Sequence, residues 1–182
     1  MFVEIVKRQD DSNDGGLDVL VFGEKLTCDE HGHFLIPGQF VTGLKPADLP
    51  AGVGFRLLDQ LRSGAGFYKE DCVVLRYHPE GQAIQVQVTT TYAAQEWDGL
   101  FNLQATIEAR RLVVDQADGY HLEWHKADEE CCEMVFTFQQ ETLEDDLERL
   151  METICDRVRW VEEKANERLW YGGLGRLGKD DR

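Results

Sequence analysis

Apolar and polar residues alternate with a period of two along most of this chain, and only near its end does the period change to that of a helix. Phe2 to Lys7 reads as a first strand and Leu17 to Phe22 as a second. Between them, Asp10-Asp11-Ser12-Asn13-Asp14-Gly15-Gly16 carries side chains that favour bends over ladders. His33 to Phe40 forms a third, broken by Pro37-Gly38 and therefore confined to an edge or a bend. Pro46 and Pro50 punctuate the next stretch. There Phe55, Leu58 and Leu61 recur three apart, which predicts one short helix over Gly54 to Arg62, ended by Ser63-Gly64.

From Phe67 the alternation becomes regular. Cys72 to His78 is a mostly apolar strand, Pro79-Glu80-Gly81 a turn, and Ile84, Val86 and Val88 alternate with Gln85, Gln87 and Thr89 on the return. Phe101, Leu103, Ala105 and Ile107 alternate with Asn102, Gln104 and Thr106, predicting a further strand that runs on toward Val114. Tyr120, Leu122 and Trp124, then Met134, Phe136 and Phe138, supply the last pair. Consecutive hairpins of this kind make an antiparallel meander of about six or more strands, with one buried face and one wet one.

At Thr142 the pattern switches. Leu143, Leu147, Leu150, Ile154, Val158, Val161, Ala165 and Leu169 fall at steps of four or three, the mark of one apolar stripe on a long helix. Thr142 with Asp145 resembles a capping box, and Tyr171-Gly172-Gly173 supplies the stop. Such a helix, roughly 40 Å long at 1.5 Å per residue, gains little alone in water, so its stripe is expected to lie on the meander's apolar face. The expected fold class is α+β: the antiparallel meander against a long C-terminal helix, with one short helix in the N-terminal half. One domain is expected over residues 1–170, with a flexible Gly-rich tail over 171–182. In layout this order resembles the helix-grip arrangement, in which a curved antiparallel sheet wraps a C-terminal helix. The resemblance implies a fold and no function, because no residue motif accompanies it.

Charge narrows the partners. The 182 residues hold 35 acidic against 19 basic side chains, a formal net charge of −16. Basic residues cluster no further than pairs such as Lys7-Arg8 and Arg110-Arg111, so direct nucleic-acid binding and attachment to an anionic membrane are both disfavoured. The first thirty residues carry Glu4, Lys7, Arg8, Asp10, Asp11 and Asp14, which leaves no apolar core for a signal peptide, and no apolar run approaches a membrane span. Five cysteines at irregular spacing make no disulfide framework, so a reducing cytoplasm is the expected setting.

The acidic residues are unevenly spread. Asp128, Glu129, Glu130, Glu133, Glu141, Glu144, Asp145, Asp146, Glu148 and Glu152 face a single base, Arg149, within 25 residues. Carboxylates in a helix's first turn are favoured by its exposed N–H groups, which accounts for Glu144, Asp145 and Asp146. It does not account for Glu148 and Glu152, which repel at i, i+4. Glu129, Glu130, Glu141, Glu148 and Glu152 are therefore the candidate partner-binding residues, and a basic protein is the candidate partner.

Other chemistry finds less support. Cys28, His31 and His33 lie within six residues, and His121, Glu123 and His125 share one face of a strand, two spacings that suit a metal ion, yet solvent-facing histidines explain both. No metal, cofactor or catalytic residue is assigned. Ser12 and Ser63 are the only serines and neither sits in a nucleophile elbow, while Cys28, Cys131 and Cys132 lie among carboxylates that oppose thiolate formation. Gly52-Val53-Gly54 and Gly64-Ala65-Gly66 match a phosphate loop incompletely and read as hinges. Trp97, Trp124, Trp160 and Trp170 read as core or boundary residues, and any one left exposed becomes a candidate partner anchor. The leading expectation is a non-catalytic interaction domain that presents an acidic face. The alternative is a small-molecule binder or enzyme with an apolar pocket between sheet and helix.

Overall fold

Why these residues form their elements is read from a computed structural model that describes residues 3–7, 16–57, 72–93, 103–126 and 131–171. Mixed α+β structure results: a three-stranded sheet, a six-stranded sheet and, among the described residues, two α-helices of which the C-terminal one is the longer. These residues group into two compact units. The first comprises Met1–Gln60, Cys72–Val86 and Gln139–Met151, the second Leu61–Asp71, Gln87–Phe138 and Glu152–Arg182.

In the first unit, β1 (Val3–Lys7) pairs antiparallel with β2 (Leu17–Val21), which pairs with β3 (Glu24–Lys25). Val3, Val19 and Val21 are buried, while Ile5 and Leu17, which share their face of the ladder, are exposed. Phe22 and Gly23 both have positive φ, 50° and 81°, the two-residue turn that matches strand twist. Phe22 ends β2 one residue earlier than alternation suggests, and its ring meets that of Phe40 at 5.5 Å.

The six-stranded sheet has the order β4-β5-β6-β7-β9-β8. Strand β4 (Phe34–Ile36) runs parallel to β5 (Phe55–Leu57), and β5 runs antiparallel to β6 (Cys72–His78). The chain between β4 and β5 carries two 3-10 turns, Gly38–Phe40 and Pro46–Asp48. The helix expected over Gly54 to Arg62 is replaced over its described part by β5. Phe55 and Leu57 are buried, with Phe55 opposite Leu75 and Leu57 opposite Val73, so sheet pairing overrides the three-residue spacing; Leu58 to Arg62 lie outside the described residues.

Strand β7 (Ala83–Ala93) follows β6 through a 3-10 turn at Pro79–Gly81 and Gln82 at φ 46°, and buries Ile84, Val86 and Val88 as alternation predicts. The strand expected from Phe101 toward Val114 is instead helix α1 (Leu103–Val114). Thr106, Ala109, Arg110, Val113 and Val114 are buried in it, a helical spacing in which two members are polar and invisible to a hydropathy pattern. Strand β8 (Tyr120–Lys126) then pairs antiparallel with β9 (Cys131–Gln140), matching Tyr120 to Phe138, Leu122 to Phe136 and Trp124 to Met134. Because β9 lies between β7 and β8, the sheet is not a simple meander.

Helix α2 (Leu147–Tyr171) is one continuous element of 25 residues, about 37 Å at 1.5 Å per residue. Leu147, Leu150, Ile154, Val158, Val161, Ala165 and Leu169 are all buried, with Met151 beside them. The helix starts four residues later than Leu143. Asp146 rather than Thr142 is the cap, its Oδ1 accepting the Arg149 N–H at 2.9 Å, while the Thr142 hydroxyl accepts from Gln140 Nε2. The Leu147 N–H, otherwise an orphan of the first turn, donates to the Leu44 carbonyl at 2.8 Å. Within the second unit α2 packs on the sheet through Arg157 and Trp160. Arg157 lies 5.7 Å from the Phe138 ring and donates to the Tyr120 hydroxyl at 3.3 Å, and the Tyr120 and Trp160 rings are 6.4 Å apart. Arg110 of α1 grips both carboxylate oxygens of Glu162 on α2, with Nε to Oε1 at 2.7 Å. No described helix is long and apolar enough to cross a membrane.

Candidate functional site

Around the start of α2 the structure gathers part of the acidic segment. Glu141 and Glu144 are exposed, and Asp146 caps the helix. The Asp145 carboxylate is 3.5 Å from Arg149, and Glu148 accepts a hydrogen bond from the Thr42 hydroxyl at 3.0 Å. Glu152, exposed, follows Glu148 by four residues on the same helix. Asp145, Asp146 and Glu148 therefore lie where unsatisfied N–H groups stabilise negative charge. Asp128, Glu129 and Glu130 lie outside the described residues.

Little of this stretch is neutralised. Several carboxylates elsewhere meet cations, Asp18 with Lys25, Glu108 with Arg111, Asp156 with Arg159, Glu162 with Arg110 and Glu167 with Lys164, whereas Glu4, Glu24, Glu80, Asp118 and Glu163 form no ion pair with Lys or Arg among the described residues. Among the described residues Glu141, Glu144, Glu148 and Glu152 form no ion pair with Lys or Arg, although α2 further along pairs several of its acids.

The metal-spaced groups behave differently. His121 and His125 on β8 both place Nε2 near the Glu123 carboxylate, at 3.4 and 3.5 Å, and all three are more than half exposed. Cys28 and His31 are exposed, whereas His33 turns inward, its ring 6.1 Å from that of His31. No three His, Cys, Asp or Glu among the described residues are placed to hold a metal ion. Burial above all, with the Asp156 and Glu152 carboxylates adding to it against Arg159, pushes the Cys155 thiol up, so it is not poised as a nucleophile. Trp124, Trp160 and Trp170 are 49%, 42% and 61% exposed, so none of them is core and each, left exposed, is a candidate partner anchor; Trp97 lies outside the described residues.

A group that sequence reasoning passed over centres on His33. Asp29 closes a tight turn: its Oδ1 accepts the N–H groups of His31 and His33 at 2.9 and 2.8 Å, and Gly32 takes φ 79° to let the chain reverse. Asp29 Oδ2 lies 3.3 Å from His33 Nδ1, and Arg76 of β6 donates to His33 Nε2 at 2.9 Å. Since Nε2 accepts, the proton of the neutral ring sits on Nδ1 and points at Asp29. Gly54 lies beneath this contact. A Cβ there would stand 2.6 Å from His33 Cδ2 and 3.2 Å from an Arg76 nitrogen, so the residue read as a hinge is a site of close approach. Burial raises the Asp29 carboxyl, but the two backbone N–H groups and the nearby imidazole outweigh it and hold it below the ordinary value of 3.8. The sequence signal for this turn was Asp29 three residues before Gly32. Its partners Gly54 and Arg76 come from distant strands. Comparison of the chain with protein-family models, with curated proteins and with solved structures finds no match.

Proposed function

We propose that this chain is a non-catalytic interaction domain that presents the acidic start of α2 to a basic protein partner. The observation that carries the reading is the run of exposed carboxylates from Glu141 to Glu152, although Glu163 further along α2 is also exposed without a Lys or Arg partner among the described residues. Asp156, Glu162 and Glu167 are paired with cations of the same chain, while Glu141, Glu144, Glu148 and Glu152 keep exposed carboxylates without a Lys or Arg partner among the described residues. Leaving like charges adjacent costs helix stability, as Glu148 and Glu152 do at i, i+4, and a cationic partner recovers that cost on binding. Glu129 and Glu130, also among the candidate residues, lie outside the described residues. The net charge of −16 weighs against an extended phosphate backbone as the partner. The thiols of Cys28 and Cys155, which form no disulfide, suit a reducing cytoplasm.

Affinity capture from source lysate at low and at high salt, followed by native mass spectrometry, tests this. A basic protein retained at low salt, released at high salt and lost with Glu148→Lys/Glu152→Lys is the expected result. Retention indifferent to both salt and charge reversal refutes it.

A further inference from the structure

Strands β4, β5 and β6 bury one face through Phe34, Ile36, Phe55, Leu57, Val73 and Leu75. Their alternate positions hold His33, Leu35, Gly54, Arg56, Val74 and Arg76, and Val74 is buried. The register sets Arg56 opposite Val74, so Arg76, two residues on, is the diagonal neighbour of Arg56, about 7–8 Å away across the strands and within reach of long side chains. Both arginines abut the same pair: Arg76 donates to His33 Nε2 at 2.9 Å, and Arg56 lies 3.9 Å from Asp29 Oδ2.

Those contacts leave most of the donors unused. Each guanidinium carries several N–H groups in a rigid fork suited to oxyanions. Arg76 has no carboxylate partner among the described residues, Arg56 stands beyond hydrogen-bond reach of Asp29, and Arg56 Nε is buried with no acceptor. In a chain with 35 acidic against 19 basic residues, two neighbouring guanidiniums without a hydrogen-bonded carboxylate are conspicuous. A buried donor left unmade is costly, and an incoming acceptor removes that cost.

We propose that Arg56 and Arg76, seated on the His33–Asp29 pair, bind a single phosphate group. A tetrahedral oxyanion offers acceptors in several directions and so can serve two forks at once, whereas a carboxylate offers one edge. Two guanidiniums and one carboxylate leave a local charge of about +1 with a neutral imidazole, enough for one compact anion. The acidic remainder of the chain repels a polyanion, so the ligand is free phosphate or a small phosphomonoester rather than a nucleic-acid backbone.

The test titrates the full chain with inorganic phosphate, and in a second arm with O-phosphoserine, at ionic strength held constant with chloride. Saturable shifts of the Arg56 and Arg76 side-chain Nε–H resonances are expected, with a rise in thermal midpoint that follows the same saturation. Tighter binding in one arm identifies the source of the phosphate. Arg56→Gln and Arg76→Gln should each weaken binding about tenfold or more, while Arg159→Gln, paired with Asp156 on α2, should not. Should a variant fail to fold, the Nε–H shifts of the unaltered chain still decide. Phosphate acting no more strongly than chloride, or Gln variants that bind as the parent does, overturns the assignment.

Discussion

Replacing Asp29 separates what its charge does from what its oxygens do. The Asp29 carboxylate makes three hydrogen-bonding contacts, Oδ1 to the exposed His31 N–H, Oδ1 to the part-buried His33 N–H and Oδ2 to the His33 ring, and a longer ionic one, Oδ2 to Arg56 at 3.9 Å. Asp29→Asn keeps an oxygen for both backbone donors and sets an NH2 group against His33 and Arg56, so only the charged contacts are lost, about 1 kcal/mol. Asp29→Ala removes everything. Water replaces the His31 bond cheaply, but the His33 N–H is left in a part-buried site and the ring loses its orienting acceptor, about 2–4 kcal/mol together. The Asp29 carboxyl titrates below 3.8 when folded and near 3.8 when unfolded, so the unfolded chain binds the proton more readily. The stability its charge confers is therefore complete above about pH 5 and drains away as the pH falls from 3.8 through the lower folded value. Urea unfolding of the parent and Asp29→Asn across pH 3 to 6 reads this directly: the gap between them should be widest at the neutral end and close in acid, where a protonated Asp29 resembles asparagine. A gap that stays constant with pH, or an Asn variant as damaged as the Ala variant, refutes the reasoning.

Three further outcomes are expected. Leu150→Ala, at a position 1% exposed on α2, should cost about 2–5 kcal/mol in urea unfolding, and a loss below about 0.5 kcal/mol would mean that the stripe is not buried. Gly54→Ala forces a methyl against His33 and Arg76 and should lower stability by about 1–3 kcal/mol with an unchanged urea slope. Glu162→Ala takes the carboxylate from a guanidinium only 3% exposed and should cost about 3 kcal/mol, whereas Arg111→Gln, one residue from Arg110 but on the exposed side, should leave the thermal midpoint unmoved.

Where one periodic signal ran long enough, the chain could be read without coordinates. The α2 stripe persists over six turns, and every one of its members from Leu147 onward is buried. The Cys72–His78 strand and its return were equally legible, because a proline turn separates a mostly apolar run from an alternating one. Short or polar elements were not. Phe101 to Ile107 alternates for too few residues to distinguish a strand from a helix, and the buried Thr106 and Arg110 of α1 count as surface in any hydropathy pattern. Strand β4 lies within the strand expected from His33, but the three residues of β5 are too few to outweigh the helical spacing of Phe55, Leu58 and Leu61. The cap of α2 was misplaced for a related reason: Thr142 and Asp146 are both good caps in sequence, and only the contacts of Gln140 and Leu44 choose between them.

The acidic stretch was visible as composition, but its meaning depends on where the scarce cations go. A chain with 19 bases cannot neutralise 35 acids, so the fold decides which carboxylates remain available. Arg110 is committed to Glu162, Arg157 to the aromatic surface of Tyr120 and Phe138, and Lys164 and Arg159 to acids on their own helix. Arg56 and Arg76 are drawn to His33 and Asp29, and the Asp29 carboxylate stands 3.9 Å from Arg56, too far to accept its N–H groups. That distribution produces two opposite surpluses: carboxylates without cations at the start of α2, and guanidinium donors without acceptors beside His33. Neither surplus follows from the totals, since each arises from strand and helix register that puts particular side chains beyond each other's reach. An outside partner of opposite charge at either place would recover free energy that the chain's own contacts leave unrealised, which is the basis of both proposals.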